Sequence, residues 1–353
     1  MTPNLLSIVI IFSMSLGIPA MVFQSWNEVP ADCKKFFLNG IPPIFKDPGP
    51  HVKIICQKYE NRFHFVTLYD TGNRSAIYSA YNVDPGPERP DESWKVELGA
   101  LGDQNNPCKL GDDMDTAGWL NSQDRSCLPL FQAINQDYTG NGFDKGHLNP
   151  VQLQNKNVIK EATFTLTNAV PQSSGFNRGE WKSGETELRE IAEDCRNRQG
   201  VSFAVTGAIT GPDFIGCGED CGSWTPPSWS DPNKRVNIPT ITWSASLCRM
   251  EGRDNVTYYE PFVFWGENKD DSTLHKEDTW EGLHKFEKDI LQPHAPAGVT
   301  VKIFRHNSQS RSLTHLCNRK RNTCTLGNSG HPTRNSSPVM LVVILGVLHW
   351  VFH

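Results

Sequence analysis

The sequence predicts an α+β fold: a mixed/antiparallel sheet with packed helices and long loops tied by disulfides. Three observations carry this. Strand-length runs rich in β-branched and aromatic residues recur at 51–57, 62–69, 75–82, 202–206, 240–247 and 258–265. A helical period appears over 181–198, where Leu188, Ile191, Ala192 and Cys195 fall on one stripe and Glu187, Arg189, Glu190 and Asp194 lie outside it. Ten cysteines are spread through the chain with no pair of CxxC units, so zinc is not indicated and disulfides formed in an oxidising compartment are.

Taken in order, residues 26–50 are proline-rich and carry Cys33, which predicts an extended lead-in stapled to the domain. The turn signal D-T-G-N at 70–73 closes a hairpin over 62–82. Residues 100–130, rich in Gly, Asp and Asn, read as an irregular insertion tied by Cys108 and Cys127. Asp112, Asp113 and Asp115 lack the glycine and terminal glutamate of an EF-hand and predict a solvated acidic loop. Gly140, Gly142 and Gly146 predict a sharply bent loop ending near His147. Thr163–Thr167 alternates Thr with Phe164 and Leu166 as a strand that Pro171 stops, and Asn177, between Gly175 and Gly179, reads as a loop before the helix. Cys217–Pro232 is a Gly/Pro/Trp-rich loop, and 279–289 a short helix aligning Trp280, Leu283 and Phe286. Pairing is open, although Cys217 with Cys221 or Cys317 with Cys324 would close short loops.

The chemistry concentrates in 137–181. D-K-G-H-L-N-P at 144–150, N-A-V-P-Q at 168–172 and F-N-R-G-E-W at 176–181 resemble, in order and spacing, three motifs of the DNA/RNA non-specific endonucleases, a ββα-metal (His-Me finger) nuclease fold. The subgroup most similar is the endonuclease domain-containing 1 proteins. The resemblance implies that His147, in the position of the D-R-G-H histidine, is the general base. Histidine suits that role because its pKa lies near neutrality. It also implies Asn177 as metal ligand, Glu185 as the carboxylate that helps hold the hydrated metal, and Arg89, within R-x-x-x-x-W-K, as a phosphate contact. Asp144 and Asn168 are expected to brace loops. Ligation by one neutral amide fits Mg²⁺, which keeps its waters and leans on substrate phosphate, with Mn²⁺ as the alternative. Lys145 stands where the family carries arginine, keeping the charge but losing the planar fork.

The bounds of the chain are consistent with a tethered or secreted enzyme. Residues 1–20 have the apolar core and small-residue exit of a signal peptide. Residues 21–326 form the endonuclease domain. The 327–353 tail ends in an apolar run of fourteen residues, too short for a bilayer-crossing helix and laid out as a GPI-attachment signal or a tail anchor. Sequons at Asn73, Asn255 and Asn335 agree with the secretory pathway and a cell-surface or extracellular location. Hydrophobic content of 37% supports a core and excludes a disordered chain. The net charge of −5 disfavours a stable DNA binder and is compatible with an enzyme that has a local basic groove for DNA and/or RNA. Residues 301–324 contain no acid and six basic residues, either a polyanion-steering patch or a solvated surface. The expected function is metal-dependent phosphodiester hydrolysis in DNA and/or RNA. The alternatives are an adaptor that keeps the fold without turnover, and a hydrolase of another phosphodiester.

Overall fold

The computed structural model describes residues 21–87, 90, 92–99, 101, 114–115, 122–217, 231–252, 256–305, 311–312, 314–318 and 323–327. The strands are β1 Val22–Phe23, β2 Val52–Tyr59, β3 Arg62–Asp70, β4 Ser75–Val83, β5 Phe143–His147, β6 Ala169–Ser173, β7 Val201–Ile215, β8 Val236–Glu251, β9 Thr257–Glu267, β10 His275–Glu277, β11 Arg311–Ser312, β12 Thr314–Asn318 and β13 Thr323–Gly327. The chain divides into two compact units, Met1–Ser312 and Leu313–His353. In the second, β12 and β13 form an antiparallel hairpin with Cys317 opposite Cys324.

The first unit is built on one sheet in the order β1-β2-β3-β4-β7-β8-β9-β10, antiparallel throughout, with β11 added parallel to β9. Period-two alternation sends successive side chains to opposite faces. In β9, Val263 joins a core with Leu283, Phe286, Val301 and Ile303, while Phe262 and Phe264 join Phe176, Trp181, Leu188 and Ala192. The sheet is thus covered on both sides, which explains why strands such as Val52–Tyr59 are buried almost end to end. Two disulfides tie the layers: Cys33–Cys56 staples the N-terminal lead-in to β2, and Cys195–Cys248 pins the helix Lys182–Asn197 to β8. A crosslink closing a loop of that 53-residue separation restricts the unfolded chain by about 4 kcal/mol. Cys127 and Cys217 are also disulfide-bonded.

On the helix-covered face lies a separate antiparallel ribbon of β5 and β6, with Gly146 opposite Val170 and His147 opposite Ala169. Leu148 and Val170 seat it on Ile55, Tyr69 and Ala208 of the sheet. A Cβ at Gly146 would stand 2.6 Å from Gln172 Cγ, so the motif's glycine admits the Gln172 side chain, whose amide donates to Thr242 Oγ1 at 3.2 Å. After β6 the chain turns directly into helix: Ser174–Phe176, a π turn at Asn177–Trp181, then Lys182–Asn197. Asp270 covers the start of this helix, accepting from Gly175 N at 2.9 Å and from Ser173 Oγ.

The structure differs from five sequence expectations; the first is Asn177, which lies in the π turn Asn177–Trp181 and not in a loop before the helix, because the helical segment already starts at Ser174. Residues 163–167 are not a strand: Thr163 ends the helix Asn157–Thr163, Leu166 and Thr167 lie in the 3₁₀ turn Leu166–Asn168, and between them Thr165 makes only an isolated parallel β-bridge to Lys95. The alternation misleads because its threonines are buried with its apolar residues, and Thr167 Oγ1 accepts from Gln57 at 2.9 Å. Pro171 lies inside β6 rather than ending a strand. Its carbonyl accepts from Asn268 Nδ2 at 2.8 Å, on the side away from β5, where a missing N–H breaks no ladder bond. His147 ends a strand rather than a bent loop, the bend being confined to Gly140 (φ +72°) and Gly142 (φ +82°). The 100–130 insertion holds a helix, Ser122–Phe131.

Arg235 and Asp137 form a fully buried pair through Nε–Oδ1 at 2.5 Å and Nη2–Oδ2 at 3.0 Å, and Arg235 Nη1 donates to Pro129 O at 2.7 Å. This pair fixes the 3₁₀ turn Asn135–Tyr138, which forms one end of the cleft described below. Removing one partner of such a pair strands a buried charge. Arg235→Met is expected to lower unfolding free energy by about 3–5 kcal/mol in a urea titration; a loss under about 1 kcal/mol would contradict this role.

Candidate active site

The end of β5, the turn after it and the first turns of the helix enclose a cleft of about 590 Å³. His147, Asn177, Glu185, Asp144 and Lys145 all line it. Residues thirty or more positions apart in sequence therefore meet at one opening.

His147 stands between two aromatic rings. Its imidazole centroid is 4.8 Å from Trp94, tilted, and 4.8 Å from Phe164, edge to face. Trp94 and Phe164 also touch each other edge to face at 5.5 Å, so the imidazole plane is set by packing. The backbone following it is braced by Asn168, which is fully buried. Its Oδ1 accepts from Asn149 N at 2.9 Å and Ser79 Oγ at 2.8 Å, and its Nδ2 donates to Asn149 O at 3.0 Å and Thr163 O at 2.9 Å. All four hydrogen-bonding positions of that amide are used.

Asp144 joins the ribbon to the helix. Its carboxylate accepts from Ser174 Oγ at 3.0 Å, Asn177 Nδ2 at 3.0 Å, and Arg178 Nε and Nη2 at 2.8 and 2.6 Å. Partial burial works against its charge, but the bonds from Arg178, Asn177 and Ser174 outweigh it and hold the carboxyl below its ordinary range. A carboxylate only accepts, so the Asn177 nitrogen must face it and the amide oxygen is left for the cleft. The planar fork that the D-K-G-H segment lacks is supplied by Arg178. Lys145 instead donates to Asn135 Oδ1 at 2.7 Å and lies 5.0 Å over the Trp94 ring, and burial lowers its pKa.

Glu185 sits one turn into the helix Lys182–Asn197, with Oε2 accepting from Gln152 Nε2 at 2.7 Å. Protein crowds this carboxyl, and burial pushes its pKa up to about 7 against the opposing effects of the Gln152 bond and the Lys182 charge. Arg189 pairs with Glu193 at 3.1 Å rather than with Glu185. Arg89 lies outside the described residues. Among the described residues no three His, Cys, Asp or Glu side chains cluster as metal ligands. Any cation in this cleft would rest on few protein groups, which suits a hard, largely hydrated ion. Trp94 and Gln152 are absent from the sequence-level candidates. Trp94 carries a signal, as the tryptophan of the R-x-x-x-x-W-K segment, whereas Gln152 carries none.

The family model for DNA/RNA non-specific endonucleases matches residues 50–287, more than half the chain and inclusive of the whole cleft. The chain belongs to the DNA/RNA non-specific endonuclease family. Among its curated relatives, the endonuclease domain-containing 1 protein of Homo sapiens is 30% identical over 224 residues, covering 63% of this chain and 39% of that protein. The Mus musculus counterpart is 29% identical with the same coverage. Nuclease C1 of Cunninghamella echinulata is 26% identical over 224 residues, 63% of this chain and 79% of that one. The match thus spans about two fifths of the endonuclease domain-containing 1 proteins. A solved EndoG/EndoGI complex aligns at TM-score 0.44 and 18% identity, covering 79% of this chain and 93% of that one.

Folding raises the Glu185 pKa above the ordinary 4.5, so the protein takes up a proton there on folding. The associated stability is complete below pH about 4.5, falls as pH rises through about 7, and amounts to about 3 kcal/mol. Without divalent cation, the wild-type minus Glu185→Gln stability difference should fall between pH 5 and pH 8 by an amount of that order. A difference independent of pH would show that Glu185 ionises freely in the folded protein.

Proposed function

We propose that this chain is a metal-dependent endonuclease that hydrolyses phosphodiester bonds in DNA and/or RNA with low sequence specificity. The observation that carries this is the convergence of His147, Asn177 and Glu185, from segments far apart in the chain, on one cleft.

His147 is the general base: one imidazole nitrogen removes a proton from the attacking water, while Trp94 and Phe164 hold the ring in line. Asn177, its amide nitrogen held by Asp144, would hold a divalent cation through its amide oxygen, and Glu185 would help to hold the hydrated ion. The fit is supported by the donor set: the Asn177 amide oxygen, opposite the nitrogen that Asp144 holds, and the Glu185 carboxylate line one cleft. Bound Mg²⁺ or Mn²⁺ would offset charge on the phosphate and leaving oxygen. Gln152 keeps one Glu185 oxygen engaged and so orients the other. Arg89 is assigned a phosphate contact on the strength of the family resemblance.

Location belongs to the same proposal. A signal peptide at 1–20, a nuclease domain at 21–326 and a tail at 327–353 would deliver the protein to the cell surface or outside. The disulfides Cys33–Cys56 and Cys195–Cys248 suit an oxidising compartment. Among the described residues no helix is long and apolar enough to cross a membrane, and the proposed tail attachment lies outside them.

The test is digestion of plasmid DNA and RNA with Mg²⁺ or Mn²⁺. Wild type should cut, chelator should stop it, and His147→Ala and Asn177→Ala should each lose about 10²–10⁴-fold in rate. Wild-type protein that binds these substrates and never cuts them would favour the adaptor alternative, which the acidic net charge, Lys145 in place of arginine and the proposed membrane tether motivate.

A further inference from the structure

Lys95 is a lysine with almost no surface, 4% exposed, and it does not line the cleft. Burying an ammonium is costly, and burial lowers the pKa of this one against the opposing charges of Glu161 and Asp115. The ammonium has three partners for its three N–H groups. Nζ donates to Ser93 O at 3.1 Å and to Glu161 O at 2.9 Å, and it stands 4.8 Å over the Tyr59 ring.

What this residue joins are the two rings that flank His147. Trp94 directly precedes it in the chain. Phe164 is tied to it through the backbone: Lys95 N donates to Phe164 O at 2.8 Å, and Leu166 N donates to Lys95 O at 3.0 Å. The side chain repeats the tie one turn earlier. Glu161 O, in the last turn of the helix Asn157–Thr163, accepts from Lys95 Nζ and also from Phe164 N, the latter at 3.2 Å. Tyr59 closes the arrangement from β2 by donating to Glu161 Oε2 at 3.1 Å. The aromatic clasp on the imidazole is therefore held from behind, by a group outside the cleft.

We propose that Lys95 is a positioning residue for His147: its backbone and its ammonium lock the Trp94 and Phe164 segments together and so fix the imidazole between their rings. This rests on the nuclease proposal and adds to it what keeps the base in line. A base must meet its water in one orientation, and small misplacements cost rate steeply. The role also accounts for the lysine of the R-x-x-x-x-W-K segment, whose tryptophan alone touches the histidine.

Lys95→Met keeps an unbranched apolar stem and removes the ammonium. In protein carrying isotope-labelled histidine, the nuclear magnetic resonance signal of the His147 ring, assigned by its loss in His147→Ala, reports the flanking rings directly. In folded Lys95→Met this signal should move toward the position of exposed histidines. In plasmid digestion with Mg²⁺, kcat should fall about 10–100-fold with KM unchanged. Lys95→Gln, a donor of shorter reach, should show the same changes in smaller measure, and it replaces Lys95→Met if that variant does not fold. Val263→Ala, in the core on the other face of the sheet, should lower stability and leave both the His147 signal and kcat as in wild type. An unmoved His147 signal in a folded Lys95 variant, a moved signal with kcat unchanged, or equal losses in Val263→Ala would each overturn the proposal. Wild type that does not digest plasmid defeats the nuclease proposal separately, and the His147 signal then decides whether Lys95 holds the ring.

Discussion

The carboxylate of Asp144 is the point on which the cleft depends. It lies in β5, three residues before His147, and accepts from Ser174, Asn177 and Arg178 of the helical segment after β6. One side chain thus sets the distance between the strand that ends in the imidazole and the helix that begins with the amide. The bidentate Arg178 contact is charge-assisted and directional, so it also fixes the rotation of the π turn in which Asn177 sits. Apart from the bond to Asp144, nothing else among the described hydrogen bonds orients the Asn177 amide. The positioning of Asn177 is therefore electrostatic, while the Trp94 and Phe164 rings pack against the His147 imidazole.

Around this contact the fold is rigid where chemistry would need it. Fully bonded Asn168 leaves the Leu148–Asn149 backbone no freedom, and the polar chain Gln57–Thr67–Ser79–Asn168 carries that constraint into β2, β3 and β4. Such a buried polar network defines one geometry because every partial alternative leaves a donor or acceptor stranded. The helix is held from behind by Trp181 and Leu188, from its end by the Cys195–Cys248 disulfide, and from its start by Asp270. What stays adjustable is the protonation of Glu185, and a cation in the cleft would act on that.

Much of this was legible in the amino-acid order. The hairpin 62–82, the long strands and the amphipathic helix were, because each has one dominant period and burial follows it. The three motifs located His147 and Asn177, since glycine, proline and polar residues at fixed offsets leave few backbone paths. Residues 163–173 were not legible. There the threonines are buried by partners distant in sequence, such as Gln57, and a proline is accommodated by a carbonyl contact to Asn268. Local pattern cannot report a donor a hundred residues away. Gln152 escaped for the same reason, since its part consists of its bond to Glu185, whereas Trp94 stood in the R-x-x-x-x-W-K segment without its ring contact to His147 being legible. The replacement of arginine by Lys145 suggested a weakened loop, yet the fork reappears at Arg178, thirty-four positions on.

Asp144 is expected to orient Asn177 toward a divalent ion. Titrating Mn²⁺ by electron paramagnetic resonance into wild type and Asp144→Ala tests it without requiring turnover. Loss of a group that orients a ligand is expected to weaken metal affinity about 10–100-fold, with the far-ultraviolet circular dichroism unchanged. Equal Mn²⁺ affinity in the two folded proteins would show that Asp144 does not orient a metal ligand.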